Sequence, residues 1–389
     1  MLTAGIIAEF NPFHNGHKYL ADQTRKNGAT HVVAVMSGAA VQRGECAAAD
    51  KYFRARAAVK NGVDLVIELP CPFSCSSGEL FALSAVRILA SLGSGVVNRL
   101  SFGSEVQEAE LLKRAADASE ELKDSGEVRK KLSEGKSYPL AVYEAALEKY
   151  GTDVGEALAK PNSILAVEYI KALRKLAPDI EPSPVQRKAV GHDDGGTVGD
   201  FASASAVRNM LRNGENACRF IPDGCVPKNT CFMENMQSEL LFRLSCADKE
   251  SLLELPDVSG EIADRIITVM KQMPLSSDEF FSACKSRNIT MARLRRIALY
   301  LVLGVKSSDL IDVPYIRILA FNGRGKEILA RCKSALLPVD TSLKRLEQTS
   351  VYAARVSQLE QNAVRLQYFC SNRKEPYISD YQRKISLSE

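Results

Sequence analysis

Two histidines near the start of the chain, His14 and His17, are three residues apart, with Gly16 between them. At this spacing the two imidazoles could act together on one ligand. On the first turn of a helix, residues three apart share one face. An apolar run, 4–8, precedes the pair and a helix-forming segment, 18–26, follows it, which predicts a strand, a tight loop and a helix start. Free backbone N–H groups and the positive end of a helix dipole meet at such a junction and attract an anion. The pair therefore predicts a phosphate clamp that can follow charge developing on a nucleotide.

Most histidine pairs at this spacing have a structural role. The residues around His14 and His17 indicate whether this pair binds a nucleotide instead. Pro12 stiffens the loop, and Gly16 leaves room where a ligand would approach the backbone. Three of the four histidines of the chain lie within its first 31 residues. These features favour nucleotide binding.

Strands and helices alternate through the first half of the chain. Strands are predicted at 6–9, 31–36, 65–69, 99–102 and 184–190, and helices at 18–26, 50–61, 77–92 and 161–176. Residues 202–206 lead into a further helix that ends at 211. Strands separated by helices of this length form βαβ units and a parallel sheet. Ligands bind such sheets at the carboxyl ends of the strands, where His14, Ser37-Gly38 and Phe102-Gly103 are expected to meet.

The second half is predicted to be mainly helical. Its clearest helices are 238–245, 259–272, 290–303 and 350–367. We predict an α/β protein with an N-terminal parallel-sheet, Rossmann-like domain that binds a nucleotide, residues 1–220, and a mainly helical, basic domain, residues 221–389. The boundary rests on the Pro, Gly and Asn residues of 222–229.

Length and composition limit the class of protein. A chain of 389 residues is long enough for two or three domains. No apolar run reaches the length of a membrane span, and Glu9 and His14 interrupt any apolar signal region, so we expect a cytoplasmic location. The ten cysteines lack zinc-site spacing and are expected to stay reduced, with no metal bound.

The net charge of +4 is unevenly distributed. Residues 1–200 carry 24 Lys and Arg against 26 Asp and Glu, whereas residues 201–389 carry 27 against 21. This asymmetry fits a catalytic domain followed by one that meets a polyanion, and equally a solvated basic face. The basic side chains that could hold a phosphate backbone are Arg293, Arg295, Arg296, Arg317, Arg324 and Lys326.

Besides the loop 10–17, three other segments could meet one nucleotide. Residues 36–45 place a Ser-Gly turn after a strand and then an arginine beside glycine, which suits an anion or substrate loop. Residues 102–105 hold a glycine against which a base or ribose could lie, although an ordinary strand-to-helix turn explains them equally well. Residues 203–208 combine two serines, a helix start and an arginine, which suits a polyphosphate or an ordinary serine N-cap.

Four further polar residues could have a functional or a structural role. Glu68 lies within an apolar strand, and a buried carboxylate needs a partner. Arg187 and Lys188 follow a strand and could supply that partner or contact phosphate. Asn162 most simply caps its helix.

Motifs spread over nearly the whole chain carry a resemblance to a known family. They are GIIAEFNPFHNGH at 5–17, MSG at 36–38, VQRGE at 41–45, GVDLVIELP at 62–70, FGSE at 102–105, KPNSIL at 160–165, QRK at 186–188, SASAVR at 203–208, RRI at 295–297 and YIRILAFN at 315–322. With them the chain resembles the bacterial tRNA(Met) cytidine acetate ligases, a branch of the H-x-G-H nucleotidylyltransferase superfamily. The combination is specific to the branch, whereas H-x-G-H alone indicates only the superfamily.

The resemblance implies a nucleotidylyltransferase-like catalytic domain that activates acetate with ATP as acetyl-adenylate. The acetyl group then passes to the exocyclic amine of the wobble cytidine in elongator tRNA(Met), giving N4-acetylcytidine. His14 and His17 would be catalytic, the six basic residues of the second half would contact tRNA, and Mg²⁺ is expected to accompany the pyrophosphate. No membrane or protein partner is expected.

The implied ATP contacts form one continuous segment and four later positions, to which the pattern of residues 203–208 adds two more. They are Ile7, Ala8, Glu9, Phe10, Asn11, Pro12, Phe13, His14, Asn15, Gly16, His17, Lys18, Tyr19, Leu20, Gly103, Asn162, Arg187, Lys188, Ser205 and Arg208.

The chain departs from the family pattern in two places. Ala39-Ala40 stands where the family usually has Asn-Phe, which alters the loop that would contact the substrate. The motif 203–208 lacks the lysine of synthetase-type relatives, so Arg208 would have to serve the phosphates.

Two other classes of function stay open from the sequence. One is an adenylyltransferase that moves AMP onto a small phosphorylated metabolite, for which the nucleotide loops would serve as well. The other is a non-catalytic RNA-binding protein, against which the intact pair His14 and His17 speaks. The sequence names no general base for the cytidine amine.

Overall fold

The computed structural model describes residues 1–188, 196–372, 376–383 and 385 of the chain. Its strands are β1 (Thr3–Ala8), β2 (His31–Ser37), β3 (Ala40–Val41), β4 (Glu45–Cys46), β5 (Leu65–Leu69), β6 (Arg99–Ser104), β7 (Glu181–Gln186), β8 (Thr197–Val198), β9 (Phe201–Ala202), β10 (Ile316–Phe321) and β11 (Val339–Asp340). Its helices are α1 (Asn15–Lys26), α2 (Lys51–Lys60), α3 (Gly78–Ala90), α4 (Ala109–Leu122), α5 (Gly126–Ser133), α6 (Tyr138–Tyr150), α7 (Thr152–Ala159), α8 (Pro161–Leu176), α9 (Ala204–Arg212), α10 (Gln237–Ser245), α11 (Lys249–Leu253), α12 (Gly260–Met270), α13 (Ser277–Cys284), α14 (Met291–Leu303), α15 (Gly323–Arg331), α16 (Leu343–Leu346) and α17 (Val351–Phe369).

Seven strands form the central sheet, in the order β11-β10-β5-β2-β1-β6-β7. Neighbouring strands in the part β5-β2-β1-β6-β7 of this order are all parallel, and β10 runs antiparallel to β5. Both β2 and β5 are buried along their whole length, as expected for apolar strands covered on both faces. The predicted α/β fold with an N-terminal parallel sheet and a mainly helical C-terminal region is confirmed.

The last strand pair of the sheet comes from the second half of the chain. β10 and β11 extend the sheet beyond β5, although that region was predicted only as mainly helical. A short apolar run such as Ile316–Phe321 does not distinguish a buried strand from a helix by periodicity. The sheet therefore crosses residue 220, and the division at that residue stays a prediction from composition.

Three apolar clusters surround the sheet. One joins α3, α4 and α6–α8 to one face, and a second packs α2 and α9 against the other. The third joins α10, α12–α14 and α17 to the loops that follow β2 and β5. The helical C-terminal region consequently packs against loops at the carboxyl edge of the sheet.

The ends of some elements differ from the predicted ones. β1 begins three residues before the predicted start, and β7 covers 181–186, while residues 189–190 of the predicted strand lie outside the described part. Among the described residues, no helix combines the length and the apolar character that a membrane crossing requires.

Candidate active site

His14 and His17 together cap the first helix. His14 is the N-cap residue, and its Nδ1 accepts the N–H of Gly16 at 3.0 Å, while His17 Nδ1 accepts the N–H of His14 at 3.2 Å. The ring centroids are 3.9 Å apart. Because each Nδ1 accepts a hydrogen bond, each neutral ring carries its proton on Nε2. The pair therefore presents two neighbouring N–H donors, and the predicted proximity of the two imidazoles is confirmed.

Both imidazoles are neutral at physiological pH. Burial, with the positive charges of Arg187 and Arg208, lowers the pKa of His14 to about 3. Burial also lowers the pKa of His17 well below its usual value, and His14 and Arg187 contribute to the same effect. The pair can thus donate hydrogen bonds to phosphate oxygens, whereas the positive charge comes from the arginines.

These lowered pKa values predict how stability depends on pH. The unfolded histidines titrate near pH 6.5, whereas His14 titrates near 3 in the fold. Their contribution to the free energy of unfolding is complete above about pH 6.5 and is lost as the pH falls toward 3. We expect urea unfolding from pH 7 to pH 4 to show a steeper loss for the wild type than for His14→Asn, which keeps a good N-cap without titrating. Equal slopes would contradict a neutral His14.

Gly16, Phe10 and Phe13 hold the imidazoles in place. A Cβ atom at Gly16 would lie 2.8 Å from His14 Cε1, so the ring itself requires glycine here. Phe10 has a φ of 46°, a strained conformation for a bulky residue, and its ring lies 5.0 Å from that of His17, edge to face. Phe10 and Phe13 are buried in the core, so their side chains support the imidazoles and are not available to a nucleotide.

The loops after β1 and β2 meet the start of α9 at three polar side chains. Ser205 Oγ accepts hydrogen bonds from Arg43 Nη1 and Arg208 Nη2, each at 3.2 Å. Arg208 Nη1 also donates to the Asn11 carbonyl at 3.0 Å. Ser203 is the N-cap of α9, so one predicted serine has the ordinary capping role and the other binds two guanidinium groups. The structure thus brings together three of the four segments that were predicted to meet at one nucleotide.

Arg43 is a site residue that the predicted contacts omitted. The only sequence signal was its place beside Gly44, in a loop that follows β2. Gly44 has a φ of 79°, and a Cβ atom there would lie 2.4 Å from the Arg296 nitrogen. The loop therefore packs directly on the backbone of α14, and this close approach sets the position of Arg43.

β6 and β7 end side by side, and there Gly103 meets Arg187. A Cβ atom at Gly103 would lie 3.3 Å from Arg187 Cγ. Arg187 Nη1 donates to Asn162 Oδ1 at 3.0 Å, and the Asn162 amide donates to the Glu105 carboxylate. The interpretation of Asn162 as a helix cap is wrong, because α8 has Lys160 as its N-cap residue. Asn162 instead joins Glu105 to Arg187, which orients the guanidinium group.

An aromatic pair lies beside the clamp. Lys188 Nζ is 5.0 Å from the ring centroid of Tyr19 and 4.5 Å from that of Phe201, a cation–π arrangement. Asn15 Nδ2 donates to the Asp200 carbonyl at 2.8 Å, which fixes the β8–β9 hairpin that carries Phe201. Sequence reasoning missed Phe201, because neither its neighbours nor its spacing carried a signal.

Several other predicted ATP contacts have side chains engaged elsewhere. Asn11 Oδ1 accepts the Ala48 N–H at 2.7 Å, and Lys18 pairs with Asp22 at the surface. Ile7 is buried in the apolar core. The Ile7 side chain is therefore closed to a nucleotide, whereas Asn11 Nδ2 has no hydrogen-bond partner among the described residues and the Lys18 side chain stays partly exposed.

Arg54 connects the loops beneath the clamp and is completely buried. Its guanidinium group donates to the carbonyl oxygens of Glu9, Ser37 and Gly38, and its Nε donates to that of Ala49. The loops after β1 and β2 are thereby held at a common position. The sequence shows Arg54 only as one of several basic residues on a helix.

A buried ionic cluster lies below the same loops. Lys51 Nζ binds the carboxylates of Glu68, Glu360 and Asp380, and Arg317 binds those of Glu68 and Asp380. Burial disfavours the charged lysine, yet these carboxylates hold the pKa of Lys51 well above its usual value. The cluster joins α2, β5, β10 and α17 to the C-terminal segment.

The ionic cluster changes two expectations. Arg317, predicted to contact tRNA, has no exposed surface and is a structural residue, so that prediction is wrong. The partners of Glu68 are Lys51 and Arg317, whereas the alternative of Arg187 and Lys188 is not realised.

Glu360 ties this cluster to the altered substrate loop. Its carboxylate accepts the N–H groups of Ala39 at 3.0 Å and Cys71 at 2.8 Å. A Cβ atom at Gly38 would lie 2.5 Å from one of its oxygens. Ala39 and Ala40 are fully buried, so their side chains belong to the packing of this loop.

The six basic residues of the second half do not form one surface. Arg293 donates to the Asp257 carbonyl, the largely buried Arg296 pairs with the Asp257 carboxylate, and Arg295 Nη1 pairs with Glu45 at 2.6 Å. Through Glu45, this part of α14 lies beside the loop of Arg43. Of the other three, Arg317 is buried in the ionic cluster, and Arg324 and Lys326 are exposed elsewhere.

Arg324 and Lys326 lie at the amino-terminal ends of the parallel strands, whereas the histidines lie at the carboxyl ends. β10 is antiparallel to β5, and Phe321 pairs with Leu65, the first residue of β5. Both basic residues follow Phe321 and are exposed. A ligand at the carboxyl ends of the parallel strands is consequently separated from them by the length of the sheet.

A cap of two neutral imidazoles with arginines, set at the carboxyl edge of a parallel sheet, defines a nucleotidyl transferase site. The sequence model of the family HIGH Nucleotidyl Transferase matches residues 1–381. Among curated relatives, the tRNA(Met) cytidine acetate ligases of Alkaliphilus metalliredigens and Clostridium acetobutylicum are 33% and 34% identical to this chain, over 99% and 100% of both chains respectively. That of Caldicellulosiruptor saccharolyticus is 38% identical over 86% of this chain and 85% of its own. The chain belongs to the tRNA(Met) cytidine acetate ligase family and is a ligase.

Solved structures agree with this assignment. Thermotoga maritima TmcAL bound with alpha-thio ATP is 29% identical and superposes with a TM-score of 0.86, covering 100% of this chain and 99% of its own. Its apo form is 28% identical, with a TM-score of 0.88 and the same coverage. The fold is thus shared along the whole chain.

Proposed function

We propose that this chain uses ATP to activate acetate as acetyl-adenylate and transfers the acetyl group to the wobble cytidine of elongator tRNA(Met), giving N4-acetylcytidine, in the cytoplasm. One observation carries the proposal: the neighbouring imidazoles of His14 and His17 each carry an Nε2–H donor, and the positive charges of Arg187 and Arg208 act on this pair. The names of the relatives support the choice of substrates, and the ATP analogue bound to the Thermotoga maritima protein supports the nucleotide.

The first step forms the adenylate. The triphosphate lies against His14, His17 and the amino end of α1, and an oxygen of acetate attacks the α-phosphorus in line. The bond from that phosphorus to the bridging oxygen breaks, and pyrophosphate leaves. Neutral N–H donors and fixed guanidinium groups stabilise the charge that grows on the transferring group, and they need no reorganisation during the step.

The second step uses the amine of an unstacked cytidine. Sequence-specific RNA recognition usually takes bases out of their stack, and the acetyl carbonyl of the adenylate is the electrophile. The amine nitrogen bonds to the carbonyl carbon, and AMP leaves with the electron pair of the broken C–O bond.

Mg²⁺ is proposed to accompany the pyrophosphate, but the described residues provide no cage for it. Among these residues, one set of three carboxylates has a spacing that could hold a metal ion: Glu68, Glu360 and Asp380. These carboxylates already bind Lys51 and Arg317. Mg²⁺ commonly binds through substrate phosphates and water. We assign no protein ligand and no step to the ion.

Transfer of the acetyl group provides the test. The protein is incubated with ATP, [14C]acetate and elongator tRNA(Met), and labelled N4-acetylcytidine is measured after nuclease digestion. Pyrophosphate release that depends on acetate, with label in the wobble cytidine, is expected. Release that is independent of acetate but dependent on a small phosphorylated metabolite would assign the chain to another adenylyltransferase activity.

The position of α14 predicts where tRNA binds. Arg295→Ala, at the residue that pairs with Glu45 of the site loop, is expected to weaken tRNA binding roughly tenfold and to reduce its salt dependence, because it removes a phosphate contact. The matched variants Arg324→Ala and Lys326→Ala, at the far edge, are expected to bind as the wild type does. Filter binding at 50 and 200 mM salt measures both. A larger effect at the far edge would relocate the tRNA surface.

A further inference from the structure

A carboxylate in the phosphate-binding loop needs an explanation, because it repels phosphate. Glu9 follows β1 directly and is half-buried. Its Oε1 accepts the N–H of Gln42 at 3.1 Å, which holds the side chain toward the loop that contains Arg43. No described residue forms a hydrogen bond with Oε2. One oxygen is therefore fixed, and the other is free to act on a ligand.

The contacts of Glu9 connect it with the loop nearest to the surface proposed for tRNA. Glu9 binds the N–H of Gln42, in the same loop as Glu45, which pairs with Arg295 of α14. The positive charge of Arg208 acts on both Glu9 and His14, so the carboxylate also lies near the clamp. The surface proposed for tRNA thus approaches the site from the side of Glu9.

We propose that Glu9 is the general base that accepts the proton of the cytidine amine during acetyl transfer, an inference that rests on the proposed function. The N4 nitrogen forms the bond to the acetyl carbon, the C–O bond to the adenylate breaks, and its electron pair leaves with AMP. The N4 proton passes to Glu9 Oε2. In the first step acetate attacks as its anion, so no proton leaves the nucleophile. Adenylate formation therefore needs no general base.

The protonation state of Glu9 suits this role. Burial raises its pKa, the guanidinium groups of Arg43 and Arg208 oppose the rise, Glu45 adds to it and Arg54 opposes it. The phenol of Tyr169 also faces this carboxylate. A raised pKa makes a carboxylate a stronger base, and general bases work best when their pKa approaches the operating pH.

The two half-reactions separate a base from a group that merely holds the loops. Acetate-dependent ATP–pyrophosphate exchange without tRNA reports the first, and single-turnover transfer from the preformed acetyl-adenylate complex reports the second. Glu9→Gln has almost the same shape and is expected to keep exchange within about threefold while transfer falls at least about 100-fold. Glu181→Gln, at an exposed position on the first residue of β7, is the control and should change neither.

The pH profile supplies a second reading. Wild-type transfer should rise with pH as Glu9 loses its proton and then level off, whereas exchange should lack this rise. Glu9→Asp should keep the rise at a lower rate, since it retains a carboxylate set back by one methylene group. If Glu9→Gln does not fold, as judged by thermal unfolding, the wild-type profile alone carries the test.

Three outcomes would each be decisive. Equal losses of exchange and transfer in Glu9→Gln would overturn the proposal, because they assign Glu9 to adenylate formation. Transfer within threefold of the wild type would also overturn it. A wild-type protein that makes acetyl-adenylate without acetylating tRNA would instead refute the proposed function, whatever Glu9 does.

Discussion

Replacing His14 by asparagine is expected to reduce acetate-dependent pyrophosphate release about 100- to 1,000-fold. The asparagine oxygen can accept the Gly16 N–H as His14 Nδ1 does, so the helix keeps its cap. What is lost is the Nε2–H donor, and removal of one preorganised donor from a charge-stabilising site costs a factor of this size. The double variant with His17→Asn is expected to lose more. Steady-state release with saturating ATP and acetate measures the effect.

The comparison with alanine separates catalysis from stability. His14→Ala removes both the donor and the cap, and it should lower the free energy of unfolding by about 1 kcal/mol more than His14→Asn does. The two variants should nevertheless have similarly reduced activity. If His14→Asn were nearly as active as the wild type, Nε2–H would not act on the phosphates and the clamp would be purely structural.

Replacing Lys51 by methionine is expected to destabilise the protein by about 3–5 kcal/mol, because it breaks a buried ion pair and leaves the Glu360 carboxylate without the cation that it pairs with. Lys51 and Asp380 are 1% exposed, and Glu68 and Glu360 are not exposed at all. Urea unfolding followed by circular dichroism measures the loss.

A second substitution and a surface control make this prediction specific. Adding Asp380→Asn to Lys51→Met should recover part of the loss, since Arg317 then faces two buried carboxylates of the cluster instead of three. Lys149→Met removes an exposed ion pair with Glu121 and should have no measurable effect. If Lys51→Met were as stable as Lys149→Met, the cluster would contribute nothing to the fold.

The cluster shows where sequence reasoning stopped. Glu68 was expected to need a partner, and it has two, but neither was the predicted one. Lys51 is bound to Asp380, 329 residues later in the chain, and no local pattern relates positions that far apart. Arg317 was interpreted as a tRNA contact because, with Arg324 and Lys326, it surrounds a turn of Gly and Arg residues that could hold a phosphate backbone, yet β10 carries it into the sheet.

The arginines around the clamp were located from the sequence only in part. Arg208 was expected at the phosphates, because it follows two serines at a helix start. Arg43 was noticed only as part of a weak loop motif, and its place beside Ser205 depends on the packing of Gly44 against α14. Arg54 carried no signal at all, although it fixes three carbonyl oxygens in the two site loops.

By itself the sequence determined the parts that depend on neighbouring residues. The imidazole pair, the helix start that it caps and the buried parallel strands follow from spacing within one turn or one apolar run, and the motifs identified the family. Only the tertiary structure decided the properties that depend on distant residues. These are the protonation of the imidazoles, the environment of Glu9 and the burial of Arg317. These properties depend on desolvation and on contacts between segments far apart in the chain, which packing alone brings together.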